Sequence, residues 1–209
     1  MNRSPRFHPS AGIAIGPILF ILALLAVIAA VMASGSDGFQ TASGADRITA
    51  DIVAQANLIR NTINDCNMQY TLDVSMNSVN FNADPYPTSA ATGTAVSALG
   101  CAPTGDASIW NTATSNILMP PPTQGFNVWM YIDASATGGG RCFWTSPTTP
   151  NAPIVEGLTR AASKFNSATV YSATNEVLYD PSLTNNPYQK FVVWITMPTS
   201  TPSSYCSFP

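Results

Sequence analysis

Two carboxylates, Asp133 and Glu156, are the first candidates for acid–base chemistry in this sequence. A glycosidase needs such a pair of acids on either side of the bond that it cleaves. No cluster of further acids and no accompanying base is present near either residue. Asp133 ends a predicted strand, and Glu156 falls in the first turn of a predicted helix, where negative charge is favoured in any case. We therefore predict structural roles for both.

Nucleophilic catalysis has equally little support. The sequence contains no G-x-S-x-G motif, and its single histidine, His8, lies near the N-terminus. A Ser–Lys arrangement that uses Lys164 or Lys190 stays open, although no pattern points to it. Glycines 138–140 lack the context of a phosphate-binding loop, so they predict a turn. The sequence therefore predicts a protein that is not an enzyme.

Charge is scarce in this chain, and the scarcity excludes several classes of ligand. Of 209 residues, 9% are charged and the net charge is −3, against roughly 25% charged residues in ordinary soluble domains. Nucleic-acid binding needs clustered Lys and Arg, which are missing. Asp84 and Asp106 stand alone, whereas a calcium site needs several oxygens together. We expect no nucleic acid, no metal and no cofactor.

The four tryptophans could form a binding surface, since exposed aromatic side chains bind sugars and proteins. Trp129, Trp144 and Trp194 lie on predicted strands, so we expect them to pack in the core. Trp110 lies in an irregular region rich in Asn, Pro, Thr and Ser. It is therefore the candidate surface-binding residue.

An uncharged stretch over residues 11–33 dominates the N-terminal part of the chain. About 20 apolar residues cross a ~30 Å hydrocarbon layer, so the stretch predicts a transmembrane helix over residues 13–33. Arg3 and Arg6 precede it, which predicts a cytoplasmic N-terminus and an exported C-terminal part. The alternative is a cleaved secretory signal ending before Ser34. Both interpretations export residues 34–209.

The four cysteines agree with export, because an even number in an exported chain indicates disulfides. Three pairings are open. We favour Cys66–Cys101 with Cys142–Cys206, since loops that do not cross are simpler to close.

A second helix is predicted after the uncharged stretch. Residues 34–42 contain small and polar residues with two glycines, which predict a flexible joint. Ser43 and Asp46 have the spacing of a capping box. A narrow apolar stripe then predicts an amphipathic helix to about Asn64; its members are Ile48, Ile52, Ala56, Ile59 and Ile63.

The rest of the chain predicts strands, loops and one short helix. Alternating apolar residues predict strands over 68–76 and 126–132, and the turn at 138–140 predicts a hairpin with 142–144. A helix opens at Asn151 and Pro153, and further strands follow over 176–179 and 191–197. The fold class is α+β, with an N-terminal transmembrane helix that continues into an amphipathic helix packed on a mainly antiparallel sheet.

This arrangement resembles a type IV pilin or pilin-like protein. The resemblance rests on a short basic leader ending in glycine, a long apolar helix that becomes amphipathic, and a disulfide-containing sheet. It implies a leader over residues 1–12 with cleavage between Gly12 and Ile13. Pilins usually carry a glutamate five residues after that glycine, and here the position is Pro17. This departure favours a minor pilin or pseudopilin over a main subunit.

The resemblance also implies partners and a location. The chain divides into the leader, the assembly helix over 13–33, the joint over 34–42 and an exported domain over 43–209. The expected partners are like subunits in a filament, inner-membrane lipid before assembly and a prepilin-type peptidase. The expected location is a single pass through the inner membrane, then an extracellular filament. A bridge between Cys142 and Cys206 would resemble the stapled C-terminal region of the family. Two alternatives stay open: an anchored or secreted binding or adhesion protein, and an exported enzyme of unrecognised type.

Overall fold

The computed structural model describes residues 15–74, 86–101, 108–110, 117–169, 175–183 and 189–208. Within the first helix, side chains are described at residues 20–26 and 41–68. The leader, Gly12 and Ile13 lie outside the described residues, as do Asp84 and Asp106. The chain divides into two compact units, Met1–Ala42 and Ser43–Pro209.

Helix α1 runs from Ile15 to Val74. It continues through residues 34–42 and past Ser43, so the capping-box spacing there does not start a helix. It also includes most of the predicted strand over 68–76, and that strand prediction is wrong. Met68 and Leu72 are four residues apart, so the same apolar residues also suit a helix.

The prediction of an N-terminal transmembrane helix is wrong. Among the side chains that the structure describes, no helix offers an apolar stretch long enough to cross a membrane. The predicted single-pass location in the inner membrane depended on that helix and is corrected with it.

The second unit is built on a six-stranded mixed sheet with the order β1-β2-β3-β6-β5-β4. All neighbouring strands pair antiparallel except β4 and β5, which are parallel. The α+β class is therefore confirmed. The strands are β1 Thr94–Ala95, β2 Met130–Asp133, β3 Arg141–Thr145, β4 Ser167–Ala168, β5 Val177–Leu178 and β6 Phe191–Thr196.

Helix α2, Ala152–Ala162, lies where the sequence predicts it. The Asn151 side chain accepts a hydrogen bond from the Ile154 amide at 3.1 Å, which satisfies one of the amides that a helix start leaves without a partner. Its apolar face is buried through Ile154, Leu158 and Ala161. The periodicity of the sequence and the cap residue together determine this element.

The main core lies between the helices and one face of the sheet. The predicted stripe of α1 is buried at Ile52, Ala56, Ile59 and Ile63 and partly buried at Ile48. It packs with the inward residues of the central strands, namely Tyr131, Phe143, Phe191 and Val193. Alternate residues of the same strands face the opposite side and form a second cluster with the C-terminal segment. The sheet is therefore apolar on both faces.

The two helices cross closely at a glycine. The Thr49 hydroxyl shares its proton between the Ala45 carbonyl oxygen of its own helix, at 2.8 Å, and the Gly157 carbonyl oxygen, at 3.0 Å. A Cβ atom added at Gly157 would lie 2.7 Å from Ile48 Cγ2 and 3.1 Å from the Ala45 carbonyl oxygen. Only a residue without a side chain therefore fits this crossing as it stands.

Candidate functional site

The described part of the first unit exposes a continuous apolar stretch on helix α1, which we call the apolar segment (residues 20–26). Every residue in it is exposed. Its large members are 52–69% exposed, and they are Phe20, Ile21, Leu22, Leu24 and Leu25. Single exposed apolar residues are normal on a protein surface, but a contiguous apolar patch marks an interaction surface.

The apolar segment has no polar face. At 100° per residue, its large side chains occupy about 200° of the helix circumference, and Ala23 and Ala26 occupy the rest. An ordinary amphipathic helix has an apolar stripe of about 100° and polar residues opposite it. A partner along one side would therefore leave apolar surface in water. The segment requires cover from several directions.

The two candidate carboxylates are not brought together. Asp133 pairs with Arg141, at 3.1 Å between Oδ1 and Nε, and both side chains are largely buried. Glu156 accepts from Arg160 Nε at 2.8 Å at an exposed site on α2. Arg160 also contacts Asp46 of α1, and these hydrogen bonds to carboxylates raise the pKa of Arg160. Each acid therefore forms an ion pair, and the sequence interpretation had not named the partner of Asp133.

Arg141 is the centre of a polar cluster that the sequence did not predict. Its Nη2 donates to the Ser135 hydroxyl at 2.7 Å, and its guanidinium lies 4.4 Å from the centre of the Tyr86 ring. The Tyr86 hydroxyl in turn accepts from Asn67 of α1 at 2.9 Å. Burial lowers the pKa of Arg141. The signal was available, because a hairpin turning at 138–140 places Arg141 opposite Asp133.

Tyr131 lies beside this cluster and is completely buried. Its hydroxyl has no hydrogen-bond partner among the described residues. Burial raises its pKa strongly, and the neighbouring Asp133 and Tyr86 raise it further. The neutral hydroxyl is therefore the only form that this environment accepts, and Tyr131 is not a proton donor near neutral pH.

Trp110 does not lie on the surface. It is 5% exposed, and its indole N–H donates to the Val96 carbonyl oxygen at 2.7 Å. The other three tryptophans are buried, as predicted. Trp129 donates to Gln55 of α1 at 2.6 Å. A buried indole with a satisfied N–H is a packing group, so the structure offers no aromatic binding surface at Trp110.

Neither lysine candidate gains support as a catalytic base. Lys190 is half-buried, and burial lowers its pKa. Lys164 is the second residue after the end of α2 and is exposed. Across the same described regions, no group of His, Cys, Asp and Glu side chains could hold a metal ion.

Glycines 138–140 form the predicted turn between β2 and β3. Gly138 and Gly140 have φ angles of 76° and 74°, in the left-handed region that favours glycine. A Cβ atom at Gly140 would also approach the Thr196 carbonyl oxygen to 2.7 Å. Glycine is therefore required here by the turn and by the backbone packed against it.

The favoured disulfide pairing is confirmed. Cys66 in α1 is bonded to Cys101, and Cys142 in β3 is bonded to Cys206. The first bridge connects α1 to the segment after the 3-10 helix Val96–Ala98, and the second connects the C-terminal segment to the centre of the sheet. These four cysteines leave no free thiol.

Comparison of the chain with protein-family models, with curated proteins and with solved structures found no match in any of the three.

Proposed function

We propose that this protein is a structural subunit of a type IV pilus or a related filament or secretion apparatus, assembled through its N-terminal apolar helix. The observation that carries the proposal is the apolar segment, which is exposed on every side of helix α1. Burying apolar surface is worth about 25 cal/mol per Å². A helix that is apolar all round is therefore driven to associate.

Identical subunits are the partners that best cover the exposed apolar surface of this segment. Each copy brings the same apolar helix, so several copies can bundle and cover one another from all sides. Head-to-tail contacts between identical subunits extend into helical filaments when the rotation does not close. A two-stranded pairing would cover only one stripe of each helix. A multi-helix core therefore fits the segment better than a dimer does.

The second unit has the properties of a coat around such a core. It is held by two disulfides and has a low charge. Disulfides persist in oxidising compartments, which supports export. In this proposal the apolar segment assembles the subunits, and the disulfide-bonded unit forms the outer surface.

Charge placed in the apolar segment tests the proposal. Leu22→Asp puts a carboxylate among neighbouring apolar helices, so the full-length chain should lose its filaments and sediment as a monomer. Thr149→Asp adds the same charge at an exposed position of the second unit, and Leu22→Ile keeps the apolar volume. Both controls should assemble like the wild type in sedimentation velocity and negative-stain microscopy. A monomeric wild type, or filaments of Leu22→Asp equal to those of the wild type, would contradict the proposal.

Sequencing of the mature N-terminus tests the processing step separately. Cleavage after Gly12 should give a protein that begins at Ile13. A mature protein that begins at Ser34 would indicate plain secretion and remove the assembly helix. An intact Met1 would indicate that no prepilin-type peptidase acts on the chain.

A further inference from the structure

The C-terminal segment over residues 198–208, which we call the strap, covers the face of the sheet that points away from the helices. The strap contains no helix or strand, and all of its residues are described. Cys206 is completely buried, and Tyr205 and Phe208 are partly buried against the outward side chains of the sheet. Those side chains belong to Ile132, Cys142, Trp144, Leu178, Val192 and Trp194. The strap is thus the cover of a second apolar cluster.

Hydrogen bonds to the turn between β2 and β3, one ring stack and one disulfide hold the strap in place. The Tyr205 ring stacks on Trp144 with 5.8 Å between the ring centres. The Thr199 and Ser200 amides both donate to the Gly138 carbonyl oxygen, at 2.9 and 3.1 Å. The Ser203 amide donates to the Gly139 carbonyl oxygen at 3.4 Å, and the Ser200 hydroxyl donates to the Thr137 carbonyl oxygen at 3.3 Å. A disulfide joins Cys206 to Cys142. The strap adds no strand to the sheet, so no hydrogen-bonded ladder replaces that covalent bond when it is absent.

The main core does not depend on the strap. The cluster between the helices and the sheet contains no residue beyond Ile195. The pairing of β3 with β6 is likewise complete within Arg141–Thr145 and Phe191–Thr196. The sheet and its helix side can therefore form before the strap is fixed.

We propose that the strap is a disulfide-latched cover, and that oxidation of Cys142 and Cys206 determines whether the outer apolar face of the sheet is closed or open. The two thiols form one S–S bond and give up two protons and two electrons to a disulfide-exchanging oxidant, which is itself reduced to two thiols. In the thiol form the strap opens and exposes Trp144 and Trp194. This inference does not depend on filament assembly.

The latch acts once, during maturation. Cys142 and Cys206 are both completely buried in the closed form, so a thiolate reaches the bond only after the strap has lifted. Disulfide exchange requires attack on an accessible sulfur. The closed strap therefore protects the bond that holds it, and the outer face stays covered after oxidation.

Hydrogen exchange on the full-length double variant Cys142→Ser/Cys206→Ser tests the latch. The Thr199 and Ser200 amides should exchange at least about tenfold faster than in the wild type, because local opening no longer breaks a covalent link. Amides of β3 and β6 should keep their wild-type protection. The matched control Cys66→Ser/Cys101→Ser should leave the exchange of the strap unchanged.

Three results would overturn the latch: a strap that stays protected in the double variant, loss of protection in strap and sheet together, or failure of the variant to fold. Tyr205→Ala, which keeps both disulfides, supplies a second measurement. Removing the ring stack should speed reduction of Cys142–Cys206 by at least about fivefold, because the bond is reached through local opening. Reduction of Cys66–Cys101 in the same molecule should be unaffected. Equal acceleration of both bonds, or of neither, also counts against the proposal.

Discussion

The crossing of α1 and α2 provides a sharp test of the packing, because two glycines at this crossing should respond in opposite directions to the same change. At Gly157 an added methyl group meets Ile48 Cβ at 2.8 Å and the Ala45 carbonyl oxygen at 3.1 Å. Neither is the far end of a flexible side chain. At Gly44 the added methyl group meets only Pro153, at 3.4 Å, which is ordinary contact.

The expected magnitudes follow from three terms. Replacing glycine with alanine inside a helix gains about 1 kcal/mol at either position. At Gly157, overpacking against rigid neighbours costs about 1–3 kcal/mol. Separating the helices also weakens the contact between the Thr49 hydroxyl and Gly157, which is worth up to about 1 kcal/mol. Gly157→Ala should therefore lower the free energy of unfolding by up to about 3 kcal/mol. Gly44→Ala should raise it by up to about 1 kcal/mol.

Urea unfolding followed by tryptophan fluorescence measures both variants, and equal m-values would show that the midpoints compare stability alone. In a unit of this size each kcal/mol corresponds to about 2–4 °C, so the change at Gly157 should lower Tm by up to about 12 °C. A Gly157→Ala protein as stable as Gly44→Ala would refute the close crossing. Equal destabilisation of both would show that the helices pack differently at Gly44.

Three further outcomes concern the buried tyrosines and the disulfides. Tyr131→Phe should leave the free energy of unfolding in urea unchanged or raise it by up to about 1 kcal/mol, because it removes a buried hydroxyl without a described partner. Tyr179→Phe loses hydrogen bonds to Val155 and Gln189 and should lower that free energy by about 1–2 kcal/mol. The pKa of Tyr131 is raised in the folded state. Above about pH 10 the tyrosine therefore ionises only in the unfolded chain, and the free energy of unfolding should fall by about 1.4 kcal/mol per pH unit. Tyr131→Phe should make that fall less steep in urea titrations at pH 9–11.5, and an identical slope would contradict the assignment. Mass spectrometry during reduction should find Cys66–Cys101 opened before Cys142–Cys206, because Cys101 is only partly buried. The reverse order would show that burial of the sulfur atoms does not determine the order of reduction.

Local patterns predicted the elements whose signals are short-range. Asn151 with Pro153 marked the start of α2, and the apolar stripe through Ile52 and Ile59 marked the buried face of α1. The strong apolar run at the end of the chain became β6. The hairpin was also correct, because its glycines restrict the turn locally.

The predictions that failed depended on non-local context. Met68 and its neighbours alternate in hydrophobicity, yet they extend a helix that is already formed and stabilised by packing upstream. Trp110 looked exposed because its neighbours are polar, but its ring packs in the core and its N–H reaches Val96. The transmembrane prediction rested on residue type over 13–33, and the described helix does not provide that length of apolar side chains. The parallel pairing of β4 with β5 has no short-range signal at all.

The Arg141 cluster shows how a site can be visible in the sequence and still be missed. Asp133 was assessed as a catalytic acid, whereas its role follows from the residue opposite it across the hairpin. Tyr86 and Asn67 join the cluster from distant segments, and no spacing rule connects them.

The position of β6 in the sheet has a consequence for when the domain can fold. Among the described strands β6 is the last in chain order, yet it lies between β3 and β5 and pairs with both. Contacts between segments about 50 residues apart close slowly, and here they cannot begin until residue 196 has been made and delivered. A chain that extends only as far as residue 190 therefore has a hairpin and helices, but no completed sheet. Truncation before β6 consequently leaves two half-sheets with open edges.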